Sequence, residues 1–503
     1  MSFDNINDIA LKPLVESDLC FKCDVCCRFI DKESPLRPYF SRDEIWRLIN
    51  AGNSPVPFTR LDGCKIDLIP YGDLHICPFF GSGENRCTIY DLRPLDCKIY
   101  PVAAMKSQGE DGILIGIDTK CPYSGNVEAE DIIYYANLIS SMTTQEGILG
   151  IIGGFQDDVR VIISLGGGLR PHPDALCRGN PPWLPWAGTG ACPYGLPSYL
   201  KKLSIEDKPI FDKFLFGTSR LSSHSFITNY IWGDLLSYYW KIIDGCLCVF
   251  AEYDQNIFMP IPPVGNNPGT ASVKAFEIMA KINKNPSVSR MEDLDDKELK
   301  EILSHSMSNV EDGLPGYKYV LKGYEYIYRR ADLVSLKGNP YKAKRSSVNR
   351  FLSQFNYSCE PFRTSDLGDC ISLYIRWMKE RYDLNQDESY RQMLYDSYSA
   401  HRRAMIDCDR LDLIGRTVRI NGSIAGYTFG FRSGPDIFTV LSEIVDRSAR
   451  GLPQFIFRES CKGLEGVSFI NAMDDSGLES IRRTKLSYHP SRLEPSYIVS
   501  RGV

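Results

Sequence analysis

Along this 503-residue chain the hydrophobic positions change rhythm several times. "YYWKII" and "CLCVFAEY" are strand-length runs rich in aromatic and β-branched residues, and Asp244–Gly245 between them is a hairpin turn signal. A stronger hairpin signal, Asn421–Gly422, lies inside "GRTVRINGSIAGYTFGFRSGPDIFTVLSEI". Apolar residues recur at helical spacing in "TASVKAFEIMAKINK", "DLDDKELKEILSHS", "CISLYIRWMKERY" and "SYRQMLYDSYSAHRRAMID". The pattern adds a strand near "YKYVLKGYEYIYR", a helix at "PQFIFRESCKGL", a strand at "VSFIN" and a last helix near "SGLESIRRTKLS". Two successive α+β units, 199–340 and 341–503, thus carry hairpins in corresponding places, which suggests an internal duplication.

The first third reads differently. "EAEDIIYYANLISSMTT" (128–144) has helical spacing, whereas the β-branched "VRVIISL" (159–165) fits a strand or a helix end. Residues 166–198, dense in Gly, Pro and Trp, have loop chemistry and form a linker after a domain at 1–165. The most apolar stretch, "GILGIIGGF", runs directly into "QDDVR" and is too short for a transmembrane segment. The amino terminus has early acidic residues and no signal-peptide core, so a cytoplasmic location is expected. A net charge of −5 argues against bulk binding of polyanions, though not against a local basic patch.

Cysteine changes the picture most. Nine of the seventeen cysteines precede residue 122, and "LCFKCDVCC" puts four of them into eight positions. In a reducing compartment such thiols are free or ligate metal, and an odd total does not give a complete set of internal disulfides. Adjacent thiolates repel unless a cation or an iron–sulfur core gathers them. The candidate ligands are Cys20, Cys23, Cys26, Cys27, Cys77, Cys87, Cys97 and Cys121, enough for two four-cysteine centres. Lys22, Arg28, Arg86, Arg93, Lys98 and Lys120 nearby would offset their charge. The bland alternative is a small core of reduced cysteines. Cys177 and Cys192, in the linker, read as unligated, and Cys246 and Cys248 as core-facing strand residues.

The motif CxxCxxCC followed by "CPFF…CTIYDLRPLDCKIYP" resembles a bacterial and archaeal cysteine-cluster family described as zinc- or iron-chelating, over about residues 15–125. A similar cluster in flagellin lysine methylases implies an iron–sulfur centre, so a 4Fe–4S type is favoured over zinc. The rest of the chain, about 200–500, resembles the carboxy-terminal domain of phosphatidylglycerol lysyltransferases. The match lies in "LKGNPYKAKRSSVNRF", in "NAMDDSGLESIRRTKLSYHP", and near the start in "FITNYIW" and "PIPPVG". That resemblance implies an α+β fold with a tandem pair of GNAT-like (acyltransferase-fold) units, and transfer of an amino acid from aminoacyl-tRNA.

Within that frame Glu443 is expected to accept a proton, Asp475 to orient the donor's α-ammonium, and Arg482 and Lys485 to hold phosphate or stabilise an oxyanion. Lys342, Lys344, Arg345, Asn349 and Asn471 are the expected substrate-binding residues, the basic ones meeting a tRNA acceptor end. Acyl-CoA is not expected, because "RSARGLPQ" keeps a single glycine, Gly451, where acyl-CoA enzymes carry a glycine-rich phosphate turn. The acceptor would be a protein, a small molecule or a lipid headgroup. Two other readings stand beside this one. The first is a redox or methyl-transfer enzyme working at the cysteine centre, for which no convincing S-adenosylmethionine loop is present. The second is a non-enzymatic metal-sensing binder on a GNAT scaffold.

Overall fold

The computed structural model describes residues 14–15, 23, 25–81, 86–106, 113–124, 127, 131, 134–135, 139, 151, 159–165, 199–253, 256–285, 288–309 and 316–501. The chain divides into two compact units, Met1–Arg178 and Gly179–Val503. Cys20, Cys177 and Cys192 lie outside the described residues.

The first unit is built from short antiparallel pairs. Arg28–Phe29 and Ile69–Tyr71 flank Leu74–Ile76, Tyr39–Ser41 pairs with Gly63–Lys65, and Phe80–Gly81 pairs with Arg86–Cys87. "VRVIISL" is a strand: Val159–Leu165 runs antiparallel to Ile113–Asp118, which pairs in turn with Val102–Lys106. Of the helix expected at 128–144, residues 131, 134, 135 and 139 are described, and each is helical. Strands this short need side-chain ties. The Glu44 carboxylate accepts from the Ser41 amide at 2.8 Å and from the Leu95 amide at 2.7 Å. That closes the start of helix Arg42–Asn50 against the start of helix Leu95–Ile99, which carries Cys97. The rings of Phe40, Phe58 and Phe79 pack together beneath.

The second unit repeats one element order twice. The first half runs β1 (Lys201–Lys202), α1 (Lys208–Leu215), α2 (Phe226–Ile231), β2 (Ser237–Ile243), β3 (Cys246–Tyr253), β4 (Asn256–Phe258), α3 (Pro268–Ile282), β5 (Arg290–Leu294), α4 (Asp296–Asn309) and β6 (Tyr317–Arg329). Two connecting helices follow, α5 (Arg330–Ser335) and α6 (Lys342–Gln354). The second half is β7 (Tyr357–Pro361), α7 (Leu367–Leu384), α8 (Glu388–Ile406), β8 (Ile414–Ile420), β9 (Ser423–Arg432), β10 (Ile437–Val445), α9 (Leu452–Lys462), β11 (Phe469–Asn471), α10 (Glu479–Leu486) and β12 (Arg492–Arg501). This is the tandem GNAT-like α+β architecture expected from the sequence. Both hairpin signals are turns with two consecutive positive φ values: 49° and 78° at Asp244–Gly245, 50° and 87° at Asn421–Gly422.

Strands β1-β2-β3-β4 form one sheet, with Val264–Gly265 added against β3, and a separate eight-stranded sheet has the order β5-β12-β6-β11-β10-β9-β8-β7. The last strands of the two halves have therefore changed places: β12 pairs with β5 of the first half, and β6 pairs with β11 of the second. β6 and β12 also run antiparallel from Tyr317↔Arg501 to Ile327↔Arg492. Within this eight-stranded sheet each half is thus completed by the last strand of the other.

Candidate functional site

The parallel pair β10–β11 is short. Ile437, Phe438 and Thr439 pair with Phe469, Ile470 and Asn471, after which β10 continues to Val445 paired with β9 alone, while the end of β11 turns into the loop 472–478. Splayed parallel strands leave a wedge with free backbone edges on its walls, and here the wedge opens into a cavity of about 560 Å³. That size suits a small-molecule group. One wall is Val440–Glu443 of β10 with Pro453 and Phe457 of α9. Other walls come from α8 (Ala400, His401), from the first half (Trp232, Tyr238, Phe258) and from Ala472–Asp474, Lys485 and Tyr488.

Glu443 projects into this space. It keeps slight solvent access through the cavity, yet protein surrounds it on every other side. Among the described residues no hydrogen bond or ion pair holds its carboxyl, and burial alone pushes its pKa up from 4.5 to about 8. His401, which sequence reasoning missed, stands in the same wall and shares its Nδ1 with the Tyr427 hydroxyl at 2.9 Å. Burial drives its pKa down to about 4. Further along, Lys322 bridges Glu292 and Asp293, 2.8 Å from each. Those two carboxylates hold the Lys322 ammonium firmly charged against its desolvation.

The other expected site residues divide. Lys485 lines the cavity, but its Nζ donates to the carbonyls of Ala472 (2.6 Å), Met473 (3.2 Å) and Asp474, so it clamps the loop 472–474. Asp475 accepts from the Tyr326 hydroxyl at 2.6 Å and from the Gly477 amide at 3.0 Å, and it is not part of the cavity wall. Arg482 is exposed on α10, outside the wall. Asn471 is fully buried: its amide nitrogen donates to Glu325 (2.5 Å) and to the Arg220 carbonyl (2.8 Å), and its oxygen accepts from the Met473 amide (2.6 Å). It fastens β11 to the first half and faces no cavity. Arg345 donates to the carbonyls of Leu336 and Gly338, holding a turn whose residues have positive φ. Lys344 donates to Ser487 at 2.7 Å and lies 3.9 Å above the Tyr488 ring. Lys342 and Asn349 are exposed on α6.

In the first unit, Cys23, Cys26, Cys27, Cys77, Cys87, Cys97 and Cys121 all line one cavity of about 560 Å³, with Arg28, Arg93, Tyr100 and Lys120. The fold brings distant cysteines there by backbone ties: the Cys77 amide donates to the Cys27 carbonyl at 3.0 Å, and the Phe80–Cys87 pairing presents Cys87. The sulfurs of Cys26 and Cys27 are 4.0 Å apart. That contact, then burial, raises the Cys26 pKa; burial raises Cys77 to about 12 and lifts Cys87 and Cys97 as well. Arg93 opposes the rise at Cys26 and Cys87. Among the described residues no three such side chains already converge on one ion position. The donor set itself, seven soft sulfurs in one space, fits zinc or an iron–sulfur core, whose charge would supply what the buried thiols lack as thiolates. Cys64 lies elsewhere, its thiol donating to the Arg60 carbonyl at 3.3 Å.

The family model described as phosphatidylglycerol lysyltransferase, C-terminal, matches residues 217–500, more than half of the chain. The chain belongs to that family. It is thereby a lysyltransferase-like acyltransferase of the GNAT type. A second model, the CxxCxxCC zinc- or iron-chelating domain, matches residues 19–122. Among solved structures, a conserved protein of unknown function from Bacteroides thetaiotaomicron is 25% identical, with 60% of this chain and 99% of that chain covered at a TM-score of 0.53. The L-PGS structure from Bacillus licheniformis is 15% identical, covering 60% and 93% at a TM-score of 0.39. No curated protein matches the chain. Among the described residues of this family member, no helix is long and apolar enough to cross a membrane.

Proposed function

We propose that the chain transfers an aminoacyl group from aminoacyl-tRNA to an amine or hydroxyl acceptor, in the cavity beside the splayed end of β10. The observation that carries this reading is Glu443, a carboxyl without a hydrogen-bond or ion-pair partner among the described residues, set into the wall of a ligand-sized cavity. An aminoacyl ester is already activated, so the protein need only position it, take a proton and stabilise the oxyanion. The acceptor's nucleophilic atom attacks the ester carbonyl carbon and gives its proton to the Glu443 carboxylate. The tetrahedral intermediate then collapses, the C–O bond to the tRNA ribose breaks, and Glu443 returns the proton to the leaving oxygen. A base with a pKa of about 8 is well matched to this exchange near neutral pH.

The start of α9 supports an aminoacyl-tRNA donor over acyl-CoA. Gly451 has φ +93°, and a Cβ there would run into the Ser347 carbonyl oxygen and sit 3.1 Å from Phe351. The helix α6 thus packs against the helix start that acyl-CoA enzymes leave open for pyrophosphate. Exposed Lys342 and Arg350 on α6 would meet tRNA phosphates. Acceptors of three classes fit this chemistry: a protein amine, a soluble metabolite and a lipid headgroup. In the first unit, Cys23, Cys26, Cys27, Cys77, Cys87, Cys97 and Cys121, joined by Cys20, would hold the metal centre, as an accessory to the acyltransferase. A bound zinc or iron–sulfur core would supply cross-linking of these short strands and, if iron, redox sensitivity.

The test is to incubate the anaerobically purified chain with total tRNA charged with a mixture of labelled amino acids, and separately with acetyl-CoA. Label should leave tRNA for a cell-extract acceptor fraction, faster with the native chain than with Glu443→Gln, and rise with pH toward 8. Equal rates for the two proteins, or turnover of acetyl-CoA alone, would reject the reading.

A further inference from the structure

The cavity holds a polar group that the proposed reaction has not yet used. His401 of α8 stands in its wall, packed against the Tyr374 ring at 4.9 Å and hydrogen-bonded through Nδ1 to the Tyr427 hydroxyl. Tyr427 is completely buried on β9, and among the described residues its hydroxyl makes no other hydrogen bond. A buried phenol must place its proton on an acceptor, because leaving that proton unpaired costs the full desolvation of the group. The acceptor within reach is His401 Nδ1. If Nδ1 carried the proton instead, the Tyr427 O–H would have nowhere to point. Nδ1 is therefore the bare, accepting nitrogen, and the ring proton sits on Nε2. With Nδ1 taken up by Tyr427, Nε2 is the polar atom that the ring, itself part of the cavity wall, has left to offer a ligand.

We propose that His401 is a catalytic residue that presents a neutral Nε2–H donor to the acyl carbonyl oxygen, as the oxyanion-stabilising group of the transfer reaction. This rests on the aminoacyl-transfer reading above. The two cations expected in that role are placed otherwise: Lys485 is taken up by three loop carbonyls, and Arg482 is exposed outside the cavity wall. A neutral donor suits the task, since it stabilises developing negative charge without bringing an ion into a desolvated site. The downward push on the imidazole pKa, to about 4, agrees with a ring that stays uncharged throughout the working range. The groups facing it are Tyr374 of α7 and Tyr427 of β9, with Glu443 of β10 and Asp396 of its own helix on the same cavity. Tyr427 then acts as a positioning residue, selecting the tautomer.

Two measurements decide the matter. In the full chain labelled with nitrogen-15 histidine, His401 should show the Nε2–H tautomer and no titration between pH 5.5 and 9. His401→Gln identifies the signal, and Tyr427→Phe should relax the tautomer preference. In the charged-tRNA assay, His401→Leu should lower kcat roughly 100- to 1,000-fold with KM within a few-fold, and His401→Gln, which keeps an N–H donor, should recover part of the loss. An Nδ1–H tautomer, an imidazole that titrates near 6.5, or a His401→Leu enzyme within a few-fold of the native kcat would each overturn the proposal. A native chain that transfers nothing while keeping the Nε2–H signature would instead reject the aminoacyl-transfer reading, and the oxyanion role with it.

Discussion

Glu443 offers a direct test of the cavity. Its carboxyl moves from an ordinary value of 4.5 to about 8 because burial strips its solvent and, among the described residues, no partner replaces it. Above pH 4.5 the unfolded chain ionises this group, whereas the folded chain keeps the proton until about pH 8. Across that window the native state binds more protons, so stability falls as pH rises, and it is flat on either side. At about 1.4 kcal/mol for each pH unit between the two values, the ceiling is about 5 kcal/mol. Solvent in the cavity still reaches the side chain and screens its charge, which brings the expectation to about 2–3 kcal/mol. Glu443→Gln keeps the shape and cannot ionise. Urea denaturation of both proteins at pH 5, 7 and 9 should therefore find them equal at pH 5, with the variant more stable by about 2–3 kcal/mol at pH 9. Comparing the two also cancels other groups that titrate nearby, including Glu325, whose burial lifts it to about 7. A stability difference that stays constant over this range would refute the argument, because the carboxyl would then titrate as if in water.

Asn471→Ala should cost about 3 kcal/mol in urea denaturation, because the buried Glu325 carboxyl keeps only its Ser222 donors and the Met473 amide loses its side-chain acceptor; a loss below about 1 kcal/mol would contradict the fastening role. Gly451→Ala should lower stability by about 2–3 kcal/mol, read as a drop in melting temperature, since positive φ and the collision with Ser347 act together. Cys97→Ala should reduce the zinc, or the iron and acid-labile sulfide, recovered after anaerobic purification, whereas Cys64→Ala should leave it unchanged; equal losses would undo the single-cavity grouping.

What the sequence made legible is what local chemistry determines. The Asp244–Gly245 and Asn421–Gly422 turns could be read because two successive positive φ values leave few alternatives to those residue pairs. The gathering of Cys23, Cys26, Cys27, Cys77, Cys87, Cys97 and Cys121 about one cavity, with Cys64 outside it, could be anticipated because close spacing of thiols has so few uses. Strand β5 and the final strand β12 were not foreseen. Their partners are set by an exchange between halves, across more than two hundred residues, and no window of sequence contains both sides of that pairing. The same distance explains the site residues. Glu443 lies on a strand whose neighbour departs, so its fate depends on where β11 ends. Asn471, Arg345 and Lys485 carry the polar groups that substrates need, but folded chains also need them to quiet buried carboxylates and turn carbonyls, and that is where their hydrogen bonds go. His401 shows the converse. It sits in "SAHRRAMI" among residues of an ordinary amphipathic helix, with no motif around it. Only the burial of Tyr427, twenty-six residues on and on another element, fixes which of its nitrogens carries the proton. In this fold most of the residue types recognisable as catalytic hold the walls in place, and on the proposed reading the chemistry falls to the Glu443 carboxyl and a neutral His401, facing a cavity that neither half builds alone.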